Sequence, residues 1–172
     1  MSRLGRRPLL WTAGLALILL PACSPSVEAP APPGTEEVEA VLYALPTAWN
    51  ARDADAWVSN FGAESGFTNI LGMHFSDRSA NQARHAELFA TIFADSHLEA
   101  TVLKVRRVGE RAAVGELEFR LVGYTRLPPG VEETEPGELR TRLITVLEYR
   151  DGRWQVVAAQ NTAIHPAAVA SP

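Results

Sequence analysis

"LRTRLITVLEYRDGRWQVVAAQNT", residues 139–162, holds two alternating apolar and polar runs on either side of Asp151–Gly152. Alternation with period two sends successive side chains to opposite faces of a strand, and Asp-Gly between two such runs is a strong hairpin signal. Leu139–Arg150 and Trp154–Thr162 therefore read as an antiparallel pair. The same pattern lies upstream, where Leu98–Val108 and Ala112–Tyr124 flank a turn at Gly109. Between the two pairs runs "RLPPGVEETEPGE", residues 126–138, an acidic loop whose three prolines cannot occupy a strand interior.

Before these strands the period is helical. Thr35, followed by Glu36, Glu37 and Glu39, supplies an N-cap type and negative charge where the helix dipole favours it. Val38, Val41, Leu42, Leu45 and Trp49 then share one face, with Pro46 expected to kink or split the helix. Asp53 or Asp55 caps a short second helix through Trp57, Val58 and Phe61, and a third helix spans about Asn81–Ala94, with Ala86, Phe89 and Phe93 on one stripe. One early strand is expected at Gly66–Met73. Helices set against one face of a curved antiparallel sheet make an α+β domain.

The first twenty-two residues read as a secretion signal rather than part of the fold. Arg3, Arg6 and Arg7 precede an apolar run from Leu9 to Leu20, too short to cross a ~30 Å hydrocarbon core. "LPAC", residues 20–23, resembles the lipobox of bacterial lipoprotein precursors, which implies cleavage before Cys23 and lipidation of its sulfur. Cys23 is the only cysteine, so no intramolecular disulfide forms in an exported chain. Residues 23–35, rich in Pro and Ala, read as a tether. The expected location is the cell envelope, lipid-anchored; Ser24 after the cysteine favours the outer membrane, facing the periplasm, in a host with two membranes. Loss of the signal leaves 13 basic against 20 acidic residues, a balance that argues against nucleic acid as a partner. The domain itself occupies residues 36–163, one unit large enough for a core, with 164–172 as a tail.

"AWNARDADAWVSNFGAESGFTNILGMHFSDR", residues 48–78, the pair His85 and Phe89, and the ending "DGRWQVVAAQNT", residues 151–162, together resemble the SnoaL-like branch of the nuclear transport factor 2 superfamily. Within it the SgcJ/EcaC-type proteins are the nearest likeness. The resemblance implies a cone-shaped fold, three helices closing over a bent sheet around an internal pocket, and frequent dimerisation through the outer sheet surface. The superfamily holds steroid isomerases, cyclases, dehydratases and binding domains, so the fold alone names no reaction. The isomerase pattern of an Asp base, a Tyr and a second Asp falls here on Asn69, a position near Leu45 and one near Thr145, and none of the three is retained.

Candidate site residues follow from that frame. Asn69 alternates with Phe67 and Leu71, so all three share a face; its amide either meets a ligand or bridges backbone groups. His85 and His74 are the candidate proton carriers, set against packing or exposed roles. Glu118 is the third acid–base candidate, with Arg120 holding its charge if buried, against a solvated strand face with ion pairs. Gln160 and Asn161 point to opposite faces, so only one sees a pocket. Trp49, Phe67 and Phe89 are candidate apolar walls. No GxGxxG, GxSxG, HExxH or CxxC occurs, so neither a cofactor nor a metal is expected. Two functions remain: an anchored domain binding a small hydrophobic molecule, or a cofactor-independent acid–base enzyme of cyclase, dehydratase or isomerase type.

Overall fold

The computed structural model describes residues 34–169; the signal, Cys23 and the tether as far as Pro33 lie outside the described residues. The chain runs α1 (Thr35–Ala51), α2 (Ala54–Val58), β1 (Phe61–Thr68), β2 (His74–Phe75), α3 (Arg78–Phe89), β3 (His97–Val108), β4 (Ala112–Val122), β5 (Glu138–Arg150), β6 (Arg153–Ala163) and α4 (Pro166–Val169). The six strands form one curved sheet in the order β2-β1-β6-β5-β4-β3. Both expected hairpins are present, and Asp151 and Gly152 turn the second with φ of 53° and 76°, the left-handed values a two-residue turn demands.

The sheet is mixed, not antiparallel as expected. β1 pairs in parallel with β6, Phe61 opposite Val156 and Phe67 opposite Ala159, while β2 adds a two-residue antiparallel edge. Phe61 belongs to β1 and not to the second helix; at 0% exposure it seeds the strand side of the core. β1 is irregular, because the six residues from Phe61 to Gly66 lie opposite only the three from Val156 to Ala158 on β6. That interruption blurs the alternation by which a sequence reveals a strand.

Helix ends follow side-chain chemistry more closely. Asp53 caps α2 by accepting from the Ala56 N–H at 2.9 Å, and Asp77 caps α3 by accepting from Ala80 N–H at 2.8 Å. The second cap starts α3 at Arg78, three residues before the expected Asn81, and the helix ends at Phe89 rather than Ala94. α1 is capped at Gly34 with no side-chain bond, and it continues unbroken past Pro46. Its C-terminus is tied down by Arg52, in the left-handed region at φ 59°. The Arg52 guanidinium donates to the carbonyls of Trp49 and Ala94, each at 2.5 Å, and to that of Ser96.

The core lies between the helices and one sheet face. α1 crosses β3, β4 and β6, α3 lies on β1, and α2 contacts both α1 and α3. Leu117, Phe119 and Leu121 of β4 and Leu139, Leu143 and Leu147 of β5 are all 4% exposed or less. Gly115 marks the closest approach of α1: a Cβ there would stand 2.7 Å from Leu42 Cδ1 and 2.8 Å from Thr145 Oγ1. Overpacking of this kind costs about 1–3 kcal/mol. Gly115→Ala is therefore expected to shift the urea midpoint downward by an equivalent amount, and an unchanged midpoint would show that α1 rides higher.

Candidate functional site

Trp49 sits at the centre of the helical layer. Its Nε1–H donates to Ser96 Oγ at 3.0 Å, and its ring meets Trp57, His85, Phe89 and Phe93 at centroid distances of 5.1–6.1 Å. Edge-to-face arrangements of this kind match the positive rim of one ring to the negative face of another. α3 contributes His85, 3% exposed and stacked on Trp57 at 4.3 Å. Its Nδ1 lies 2.9 Å from the carbonyl oxygen of Asn81, one turn earlier. A carbonyl only accepts, so Nδ1 carries the proton and Nε2 presents a lone pair. Nε2 has no hydrogen-bond partner among the described residues. Burial, the largest influence, pulls the imidazole down to about 4, against the opposing Asn81 bond and with a smaller push from Arg84. At neutral pH His85 is an uncharged acceptor.

These rings wall one side of an apolar cavity of about 70 Å³, room for about two waters. Phe119, Leu121 and Leu139 close it from the sheet, and Pro128 of the acidic loop closes it from the end. Ile70, Leu71 and Arg84 lie at its more exposed margin. Among the described residues no carboxylate lines it. Two sheet residues bring polarity: Thr141 from β5 and Asn161 from β6, diagonal neighbours on the inner face. Thr141 Oγ1 and Asn161 Oδ1 are both buried without a hydrogen-bond partner.

The cavity gathers five of the seven expected ligand contacts: Trp49, Phe67, Asn69, His85 and Asn161. Phe89 packs behind Trp49 and does not reach the lining, and Gln160 points outward, exposed, opposite Ile144. Two acid–base candidates are displaced. His74 is exposed on β2 with Nδ1 3.0 Å from Thr68 Oγ1, away from the cavity. Glu118 lies on the outer sheet face, where Arg142 pairs with it at 2.9 Å and Arg140 Nε at 2.8 Å. Arg120 does not hold Glu118; it pairs with Glu99 at 3.3 Å and Glu138 at 2.5 Å. The reason is strand parity: Leu117 and Phe119 face the core, so Glu118 between them cannot.

Asn69 lines the cavity margin, but its amide oxygen is already used. It accepts from the N–H groups of Leu71 at 2.9 Å and Met73 at 3.0 Å, closing the loop that Gly72 turns at φ 76°. The residue therefore lies just past β1, and Leu71, though it reaches the cavity margin, is 41% exposed rather than buried inside. Asn69→Leu is expected to lower the unfolding free energy by about 1–3 kcal/mol, since two loop N–H groups lose their acceptor. Asn69→Asp keeps that oxygen and should cost less; equal losses in thermal denaturation would count against the bridge.

Thr141 and Asn81 escaped sequence reading. Asn81 is 0% exposed, its Oδ1 3.4 Å from Trp57 Nε1 and its carbonyl on His85, so it orients both rings. The i, i+4 spacing of Asn81 and His85 was the available signal. Thr141 had one too, the inward parity of Leu139 and Leu143 on either side. Among the described residues no group of three His, Cys, Asp or Glu side chains stands close enough to hold a metal ion.

No family model matches the chain, and no curated protein matches it. Solved structures do. An uncharacterized protein with a cystatin-like fold from Caulobacter vibrioides is similar at 24% identity and a TM-score of 0.69, covering 80% of this chain and 94% of that one. A nuclear transport factor 2-like protein of unknown function from Shewanella oneidensis is similar at 15% identity and 0.60, covering 74% and 98%. A ketosteroid isomerase-like protein from Erwinia carotovora atroseptica is similar at 13% identity and 0.61, covering 76% and 96%. The chain has the cystatin-like, nuclear transport factor 2-like α+β fold that these structures share.

Proposed function

We propose that this domain binds a small, mostly apolar molecule between its helices and sheet, as a SnoaL-like protein held at the cell envelope by lipid on Cys23. The observation that carries the binding reading is the composition of the cavity. Aromatic and aliphatic walls surround a few polar groups, the usual make-up of a small-molecule site. The free space of about 70 Å³ is below the ~300 Å³ of a typical ligand site, so the exposed margin at Ile70 and Leu71 has to yield on entry.

An acid–base enzyme is the weaker reading. A general base works best near the operating pH, and His85 at about 4 is a poor one near neutrality. No carboxylate shares the cavity to orient it or receive its proton. The likeness to an isomerase-like chain does not alter this. Leu45 and Thr145 are 1% and 0% exposed, and Thr145 Oγ1 spends its proton on the Gly115 carbonyl at 3.1 Å. Nothing at the three isomerase positions takes up a proton.

Native mass spectrometry of the purified protein should show a co-purifying organic molecule that is lost in a variant with the cavity filled, such as Leu88→Trp. A preparation that carries none and binds none from an apolar metabolite extract would end the binding reading. For the anchor, the mature N-terminus is expected at an acylated Cys23, and Cys23→Ala is expected to block processing or release the domain from membranes. An unmodified N-terminus elsewhere would sink it. A stable attachment needs more than one acyl chain, because a single chain binds only marginally. Pairing through the outer sheet face, where Ile144 and Val146 are 52% and 39% exposed, belongs to the same proposal and is read from the oligomeric state in solution.

A further inference from the structure

Apart from Arg84 at the margin, three polar groups on the cavity lining have no hydrogen-bond partner among the described residues. His85 Nε2 is an acceptor only, because Nδ1 is committed as donor to the Asn81 carbonyl. Thr141 Oγ1 and Asn161 Oδ1 are buried and unpaired on the facing sheet surface. Buried polar atoms are almost always paired, so the Thr141 and Asn161 oxygens, facing an open His85 Nε2 in one apolar cavity, mark a place where something else supplies the partners. A ligand that takes the place of water beside such groups must reproduce the bonds water would make.

The chemistry of the three groups restricts that ligand. Nε2 requires a donor, which a ketone, ether or carboxylate does not offer. A cation is disfavoured because no carboxylate lies on the lining to neutralise it. Trp49, Trp57, Phe67 and Phe119 present ring edges and faces that suit a flat ring. We infer, on the basis of the binding reading above, that the cavity takes an uncharged, hydroxyl-bearing aromatic molecule, with the hydroxyl donating to His85 Nε2 and a second polar contact at Thr141 or Asn161. Arg84 at the margin is the competing feature. Its Nε is buried and unpaired, but its charge is met by Glu87 at 2.7 Å, so an anionic ligand gains little there.

The test uses the full chain, labelled with nitrogen-15 at histidine, in phospholipid nanodiscs, with uptake by empty nanodiscs subtracted. It is titrated with phenol, toluene and benzoate, which share a ring and differ in the attached group. Phenol should move the His85 Nε2 resonance and toluene should not. The ratio of phenol to toluene affinity should fall at least tenfold in His85→Phe, because a site built around a hydroxyl rejects the analogue lacking it. Thr141→Val should lower the same ratio less. If His85→Phe does not fold, the Nε2 response and the Thr141→Val ratio decide. Phenol and toluene binding with a ratio unchanged in the variants would overturn the hydroxyl inference and leave the binding reading standing. Benzoate binding best would overturn it in favour of an anion at Arg84. Binding of none of the three, while a co-purified ligand is present, would overturn the aromatic class alone. Binding of none, with no co-purified ligand either, would end both readings.

Discussion

Trp49→Ala is expected to cost about 3–5 kcal/mol of stability, the range for deleting a large aromatic from a close-packed core. Trp49 is 7% exposed and touches Trp57 of α2, His85 and Phe89 of α3, and Phe93 just beyond α3, so two helices and the turn after them lose a common packing partner. Its departure also strips Ser96 Oγ of a donor, though that hydroxyl still donates to the Phe93 carbonyl at 2.8 Å. Trp49→Phe keeps most of the ring area and should cost clearly less. Against a typical total of about 5–15 kcal/mol, the alanine variant removes a large fraction of the margin. Urea unfolding with an unchanged slope is the measurement. A loss under about 1 kcal/mol would show that the helices are held by the sheet alone.

The second large effect is on pH. His85 titrates near 6.5 when unfolded and at about 4 in the folded protein, so between those values the unfolded chain binds a proton that the folded one refuses. Stability rises with pH wherever the unfolded state holds more protons. This residue's contribution is therefore complete above pH ~6.5 and is lost as the pH falls towards ~4, an effect of about 3 kcal/mol over the window. His85→Phe should flatten that part of the stability profile, whatever it does to the absolute value. A wild-type profile that is already level from pH 6.5 to 4 would place His85 in a wetter site than the geometry indicates.

The part of the fold legible in the sequence was the part built from long runs of period-two alternation. β4 and β5 alternate over most of their length, β3 and β6 do so with one interruption each, and Asp151–Gly152 announces its turn by chemistry no other dipeptide of the chain shares. β1 was misplaced because its eight residues carry two glycines and an irregular register, so Phe61 looked like the end of the preceding helical stripe. The parallel pairing of β1 with β6 was invisible for a different reason: partners some ninety residues apart leave no local trace. At the site, parity says only that one of Gln160 and Asn161 can face the cavity, and it leaves open which. Burial decided the rest. His74 and His85 are the same residue type, and only the three-dimensional packing puts one on an exposed edge and the other between Trp57 and Trp49. Asn69 shows the limit of parity arguments, since they fail where a strand ends one residue earlier than its apolar pattern.

The pairing of β1 with β6 also sets the order in which this protein can be made. Contacts between neighbouring strands close short loops, whereas joining Phe61 to Val156 closes nearly the whole domain and bears the larger entropic cost. As the chain emerges from a ribosome or a translocation channel, the β3–β4 hairpin is complete while β6 is still absent. The cavity walled by Trp49, Trp57, Phe67 and His85 then stays open on its β6 side until the last fifth of the domain arrives with Asn161. A chain cut before Trp154 would thus lack the strand that completes the cavity, which makes it a natural client for a chaperone and a ready substrate for proteases.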